Sequence, residues 1–172
     1  MKTVYYRRLD MPGAEVVQLD QQGDEWRLSG TALIAYEHRP IVANYSIICG
    51  GDWKTQSVDV VLREDNKERR LVLGPDSHEW IKGSIDVDLG FTPSTNLLPV
   101  RRLDLPVGGS AEVRAAWVRF PDLELLPLEQ RYTRLETNKY LYESAGGKFR
   151  RELEVDDYGF VMKYPDFWVA EK

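Results

Sequence analysis

An all-β fold, closed into an antiparallel barrel, half-barrel or roll with little or no helix, is predicted by three features of the sequence. Apolar and polar residues alternate with period two in run after run; Val58, Val60 and Leu62, for example, are offset from Asp59, Val61 and Arg63. Turn-forming residues cut these runs at hairpin spacing, leaving about a dozen strand candidates. No window sustains apolar residues at i, i+3, i+4 and i+7 between capping residues, so no convincing helix emerges.

The elements follow in order. Residues 4–8 read as an arm or first strand ending at Met11-Pro12-Gly13, and 15–19 as a short strand before the turn Gln21-Gln22-Gly23-Asp24. The longest runs, 26–36 and 40–49, are joined by Glu37-His38-Arg39, and Gly50-Gly51-Asp52 closes the pair. Pro40 suits a strand start, where its missing donor costs nothing. The alternating run around Val60 meets a charged turn at 64–67, and Leu71 and Leu73 alternate again before a turn at Gly74-Pro75-Asp76. Beyond 103, residues 103–107 run to Gly108-Gly109, and Ala111, Val113, Ala115 and Trp117 share one face. After a turn at Pro121-Asp122 come 123–128, broken by Pro127, and then 129–135; Tyr140 and Tyr142 flank Leu141. Ala145-Gly146-Gly147 turns the chain, Leu153 and Val155 alternate, 156–159 is a turn, and 161–164 is a last strand before Pro165-Asp166-Phe167-Trp168.

One stretch breaks the pattern. Residues 86–103, DVDLGFTPSTNLLPVRRL, pack two aspartates, a hydroxyl and amide cluster, two prolines and an Arg-Arg pair into eighteen residues. On a strand, Asp86 and Asp88 share a face about 6–7 Å apart, with Val87 and Leu89 turned to the core. Pro93 and Pro99 push Thr92 and Leu98 toward extended geometry. If a strand follows, Arg101 and Arg102 project to opposite faces and one meets the aspartates. Two readings fit: a polar ligand site in which the carboxylates and Asn96 bind hydroxyls while an arginine orients them, or a loop of Asx and ST turns that only closes a barrel.

Composition narrows the classes of function. At 172 residues the chain is expected to form one domain, 1–172, with room for a sizeable core. A net charge of −5 argues against a nucleic-acid binder driven by phosphate neutralisation. Cys49 is the only cysteine, so no intramolecular disulfide forms and a small buried thiol is expected. His38 and His78 are too few and too far apart for a zinc site. No P-loop, dinucleotide turn or nucleophile elbow is present, so no cofactor is expected. Without an apolar leader or about eighteen consecutive apolar residues, a cytoplasmic protein with no stable membrane insertion is expected. Trp26, Trp53 and Trp80 stand 27 residues apart, each after an acidic residue; a hairpin-sized repeat and coincidence both account for this.

Several segments together resemble a bacterial family described as putative glycolipid-binding. They are Trp53, Asp86-Val87-Asp88, the run from Thr92 to Pro99, Arg101-Arg102-Leu103, Ala115-Ala116-Trp117-Val118, Pro121, Gln130 with Tyr132-Thr133, Phe149, Asp156 with Gly159, and Tyr164-Pro165. The likeness spans nearly the whole chain, with departures at Gly90-Phe91 and Gly50-Gly51. It implies an antiparallel spiral β-roll, similar in shape to bacterial carriers that hold lipid in a half-barrel.

The expected function is binding of a small amphipathic ligand, a glycolipid or fatty-acid derivative, in the mouth of the roll. Asp86, Asp88, Thr95, Asn96, Arg101 and Arg102 would grip the polar head, with Trp53, Trp117 and Tyr132 as apolar walls. Aromatic rings stack on sugar faces and on acyl chains, so one site serves both halves of such a molecule. The alternatives are a small enzyme using Asp86 and Asp88 as an acid/base pair on a sugar or lipid conjugate, a hard-cation site completed by Thr95 and Asn96, and an assembly module without a ligand.

Overall fold

The computed structural model describes residues 1–74, 77 and 80–171. The turn expected at Gly74-Pro75-Asp76 and the positions His78 and Glu79 lie at or within stretches outside the described residues. Thirteen strands form one sheet: β1 (Lys2–Arg8), β2 (Gly13–Gln22), β3 (Glu25–Tyr36), β4 (Arg39–Cys49), β5 (Thr55–Glu64), β6 (Lys67–Leu73), β7 (Asp86–Leu89), β8 (Ser110–Val118), β9 (Leu125–Glu136), β10 (Lys139–Ser144), β11 (Phe149–Val155), β12 (Val161–Tyr164) and β13 (Trp168–Glu171).

The order across the sheet is β6-β5-β4-β3-β2-β1-β13-β12-β11-β10-β9-β8-β7. The first and last strands therefore meet at a central seam, with Tyr5 opposite Glu171 and Arg8 opposite Trp168. One wing unrolls from the seam as β2 to β6, the other as β12 to β7. The amide of Thr55 donates to the carbonyl of Ile85 at 3.2 Å, which brings the first wing against the start of β7 and curls the sheet around its interior. The expected all-β half-barrel or roll is the architecture observed.

Pairing is antiparallel except at one edge. β7 runs parallel to β8, with Asp86 opposite Ala115 and Leu89 opposite Val118. A parallel neighbour needs a crossover of a dozen or more residues, and 90–109 supplies it. That crossover holds the one α-helix among the described residues, α1 (Leu97–Leu103), after a 3-10 turn at Ser94–Asn96.

The strand expected through Arg101 and Arg102 is thus replaced by helix. Pro99 is the third helical residue, where a backbone donor has no partner to lose. The mild bias of Leu98 against helix, set by the following proline, is outweighed by burial. Leu97 and Leu98 are fully buried in the cluster lined by β1 to β5, while Val100 packs into a second cluster with Tyr132, Tyr140, Leu153 and Val161. Each buried leucine contributes on the order of 2 kcal/mol, and a seven-residue helix would not stand without it. Asp104, in the left-handed region at φ 40°, ends the helix. The strand expected at 103–107 is absent, because this segment leads from the helix to β8.

Other elements differ in detail. Residues 123–128 and 129–135 were separable by Pro127, yet both fall largely in the single strand β9. Pro127 faces Ala116 of β8, and pairing with β10 begins only at Gln130, so its missing donor lies on an unpaired side. The evenly spaced tryptophans do not mark a repeat. Trp26 lies in β3, Trp53 in the turn before β5 at φ 64°, and Trp80 outside any strand. Cys49 is free and buried, and burial pushes its thiol up to about 12.

Candidate ligand cavity

The alternation in β7 aims its four residues as expected. Val87 and Leu89 join the first core cluster, so Asp86 and Asp88 face the other way. They then meet different surroundings. Asp86 is 1% exposed and receives Arg102 through Nε at 3.0 Å and Nη2 at 2.5 Å. Burial raises its carboxyl above the ordinary range, and the Arg102 guanidinium opposes that rise. The fork geometry holds the two as an ion pair. Arg102 reaches it from the last turn of α1, so this contact fixes the crossover to the strand it leaves.

Asp88 meets no cation among the described residues. Its Oδ2 accepts from Gln130 Nε2 at 2.5 Å, and the same nitrogen lies 3.1 Å from the Tyr142 hydroxyl. Burial pushes this carboxyl up to about 6, with the Gln130 bond pulling the other way. Asp88 lines a cavity of about 430 Å³ on the concave side of β7 to β13 and β1. The walls are mostly apolar and aromatic: Trp117, Tyr142, Phe149, Tyr164, Phe167 and Trp168. Polar groups on the lining come from Arg8, Thr92, Asn96 and Ser144 as well. A concave apolar site with a few convergent polar groups is the usual form of a small-molecule pocket.

The expected site residues separate into three groups. Asp88, Asn96 and Trp117 line the cavity. Asp86, Arg102, Thr95 and Tyr132 lie behind it as its frame. Tyr132 donates to Asn96 Oδ1 at 2.8 Å while Asn96 Nδ2 donates to the Pro93 carbonyl at 3.0 Å, and Thr95 Oγ1 accepts from the Leu89 amide at 3.4 Å. Trp53 and Arg101 are elsewhere. The Arg101 guanidinium lies 5.0 Å from the Trp53 ring, which stacks on Trp26 at 4.6 Å. Arg101 lines a separate polar cleft with Asp104, Asp156 and Asp157. An acid/base pair of Asp86 and Asp88 is also disfavoured, since Arg102 already engages Asp86.

Behind Thr92 sits a polar network that sequence reading overlooked. Glu15, 1% exposed, accepts from the Tyr45 hydroxyl and from Thr92 Oγ1 at 2.8 Å; Ser94 Oγ lies 2.7 Å from the Tyr45 oxygen. Burial pushes Glu15 up to about 7, against the Tyr45 and Thr92 hydrogen bonds and the charge of Arg8. The signal was present: Glu15 is in phase with Val17 and Leu19, and Arg8 with Val4 and Tyr6, so both charges occupy core-facing positions. Arg7 points outward to Glu171. Gly30 makes the network possible, because a Cβ there would stand 2.5 Å from the Tyr45 hydroxyl. Gly30→Ala is expected to push Tyr45 off Glu15 and cost about 1–3 kcal/mol by urea unfolding; a cost near zero would mean that the ring has free room.

The family model described as putative glycolipid-binding matches residues 3–170. The chain belongs to that family. Among curated proteins none matches the chain. Among solved structures it is similar to the crystal structure of a DUF1089 family protein from Pseudomonas aeruginosa, 30% identical, with 88% of this chain and 89% of that one covered at a TM-score of 0.73. The resemblance carried by the Thr-Pro-Ser-Thr-Asn run and the residues around it therefore identified the family. In this family member the run builds one wall of the cavity and the crossover that braces it.

Proposed function

We propose that this family member binds an amphipathic molecule of the glycolipid class in the aromatic cavity. A sugar head would lie against Asp88, Asn96 and Thr92, and the apolar part against Trp117, Phe149 and Trp168. One observation carries the reading: the half-buried Asp88 carboxylate, held by Gln130, lies on the wall of a mostly apolar and aromatic cavity. A carboxylate partly open to such a cavity has acceptor capacity to spare, which suits a ligand hydroxyl. Asp86, Arg102, Thr95 and Tyr132 would hold this surface in place and would not touch the ligand.

Solvent extraction of the freshly purified protein, with native mass spectrometry before and after, is expected to release an acyl or glycosyl compound. Titration with octyl glucoside then tests the place of binding. Trp117→Ala and Asp88→Asn are each expected to weaken it about tenfold, the loss of one ring wall or one charge-assisted hydrogen bond. Unchanged affinity in both variants would move the ligand out of this cavity.

A further inference from the structure

Among the described residues Arg8 is the one basic side chain on the cavity lining. Its side chain is 9% exposed. Nε and Nη2 donate to the Asp10 carboxylate at 2.7 and 3.1 Å, but Nη1 is shielded from solvent and has no partner. An orphaned donor on a desolvated guanidinium costs more than one on a neutral group. The rest of the side chain is held in place. Its guanidinium lies 5.1 Å from the centre of the Trp168 ring, itself a cavity wall. Gly13 packs against its stem, where a Cβ would come within 3.3 Å of the Arg8 Cβ. A positioned guanidinium with one open donor beside an apolar cavity is the arrangement that recognises an anion on a chain.

We infer that the ligand carries an anionic group, a phosphate or carboxylate, that Arg8 binds through Nη1, so the cavity selects anionic amphiphiles over neutral ones. This rests on the cavity reading above and adds the charge of the head group. Asp10 neutralises part of the Arg8 charge but leaves the open donor for the ligand. Trp168 holds the guanidinium plane against the cavity wall.

Calorimetric titration with octyl phosphate, octyl glucoside and inorganic phosphate tests it. The wild-type protein is expected to bind octyl phosphate about tenfold tighter than octyl glucoside, the worth of one charge-assisted pair. Arg8→Gln should erase that preference. Equal affinities in the wild type, or a preference that survives Arg8→Gln, would overturn the role of Arg8 and leave the cavity reading standing. Binding of neither amphiphile would overturn the cavity reading and this inference with it. Inorganic phosphate bound as tightly as octyl phosphate would also overturn it, since the chain would then contribute nothing. Should Arg8→Gln fail to fold, Asp10→Asn decides: it keeps the guanidinium and removes its counter-ion, so octyl phosphate should bind more tightly, and unchanged or weaker binding would count against the assignment.

Discussion

Arg102→Ala is expected to cost about 3–5 kcal/mol of stability, because it strands the 1%-exposed carboxylate of Asp86 without its counter-ion. Most surface ion pairs of this protein would yield far less. Arg63 with Glu68 and Arg114 with Glu129 each leave both partners about half exposed, and such pairs are worth roughly 0–1 kcal/mol. The Arg102 contact also ties α1 to β7, so its loss should loosen the crossover along with the charge. Urea unfolding of the single variants and of Arg102→Ala with Asp86→Asn separates the two effects. If the buried charge dominates, the double variant recovers more than half of the loss. The deficit of the single variant should also shrink on acidification, since an unpaired buried Asp86 would take up a proton. A single-variant cost below about 1 kcal/mol would show that Asp86 is solvated after all.

Stability is expected to fall as pH rises through neutrality, the reverse of the usual carboxylate behaviour. The Glu15 carboxyl titrates near 7 in the folded protein against 4.5 for the free side chain. Between those values the folded state holds a proton that the unfolded state has released. The contribution is complete below about 4.5 and is lost as pH climbs through about 7. A shift of that size corresponds to about 3 kcal/mol. Asp88, raised from 3.8 to about 6, acts in the same direction over a lower window and with less weight, as it is partly open to the cavity. Glu15→Gln keeps the shape of the protonated acid and removes the titration. Its unfolding free energy, compared with wild type at about pH 5 and about pH 8, should converge with it in acid and exceed it in base. Parallel curves would show that Glu15 is ionised in the folded protein, held so by Tyr45, Thr92 and Arg8.

Much of the sheet was legible because a strand's side-chain period is two and its burial follows. β3, β4 and β5 fall close to the runs expected, and Val87 and Leu89 turned inward as their alternation required. The candidate site was legible in part. Asp88, Asn96 and Trp117 reach the cavity; Trp53 and Arg101 stack on each other away from it. Among the aromatic walls, Tyr142 and Tyr164 were read as ordinary strand residues and Phe167-Trp168 as the end of the chain, since nothing local distinguishes a ring facing a cavity from one facing a packed core.

The sequence by itself determined the all-β class, the approximate strands, the family and the importance of 86–103, because periodicity, turn chemistry and a long specific run are local properties. Only the tertiary structure decided that 97–103 is a helix, that β7 runs parallel to β8, and that the two aspartates part company. Each of these depends on contacts distant in sequence. Leu97, Leu98 and Val100 are helical because two core clusters close on them. Asp86 is an ion-pair partner because α1 returns Arg102 to it, whereas Asp88 meets Gln130 across the sheet and lies on the cavity wall. Arg8 and Glu15 likewise take their character from where the first strands meet the last: burial there turns two ordinary charges into an orphaned donor and a near-neutral acid.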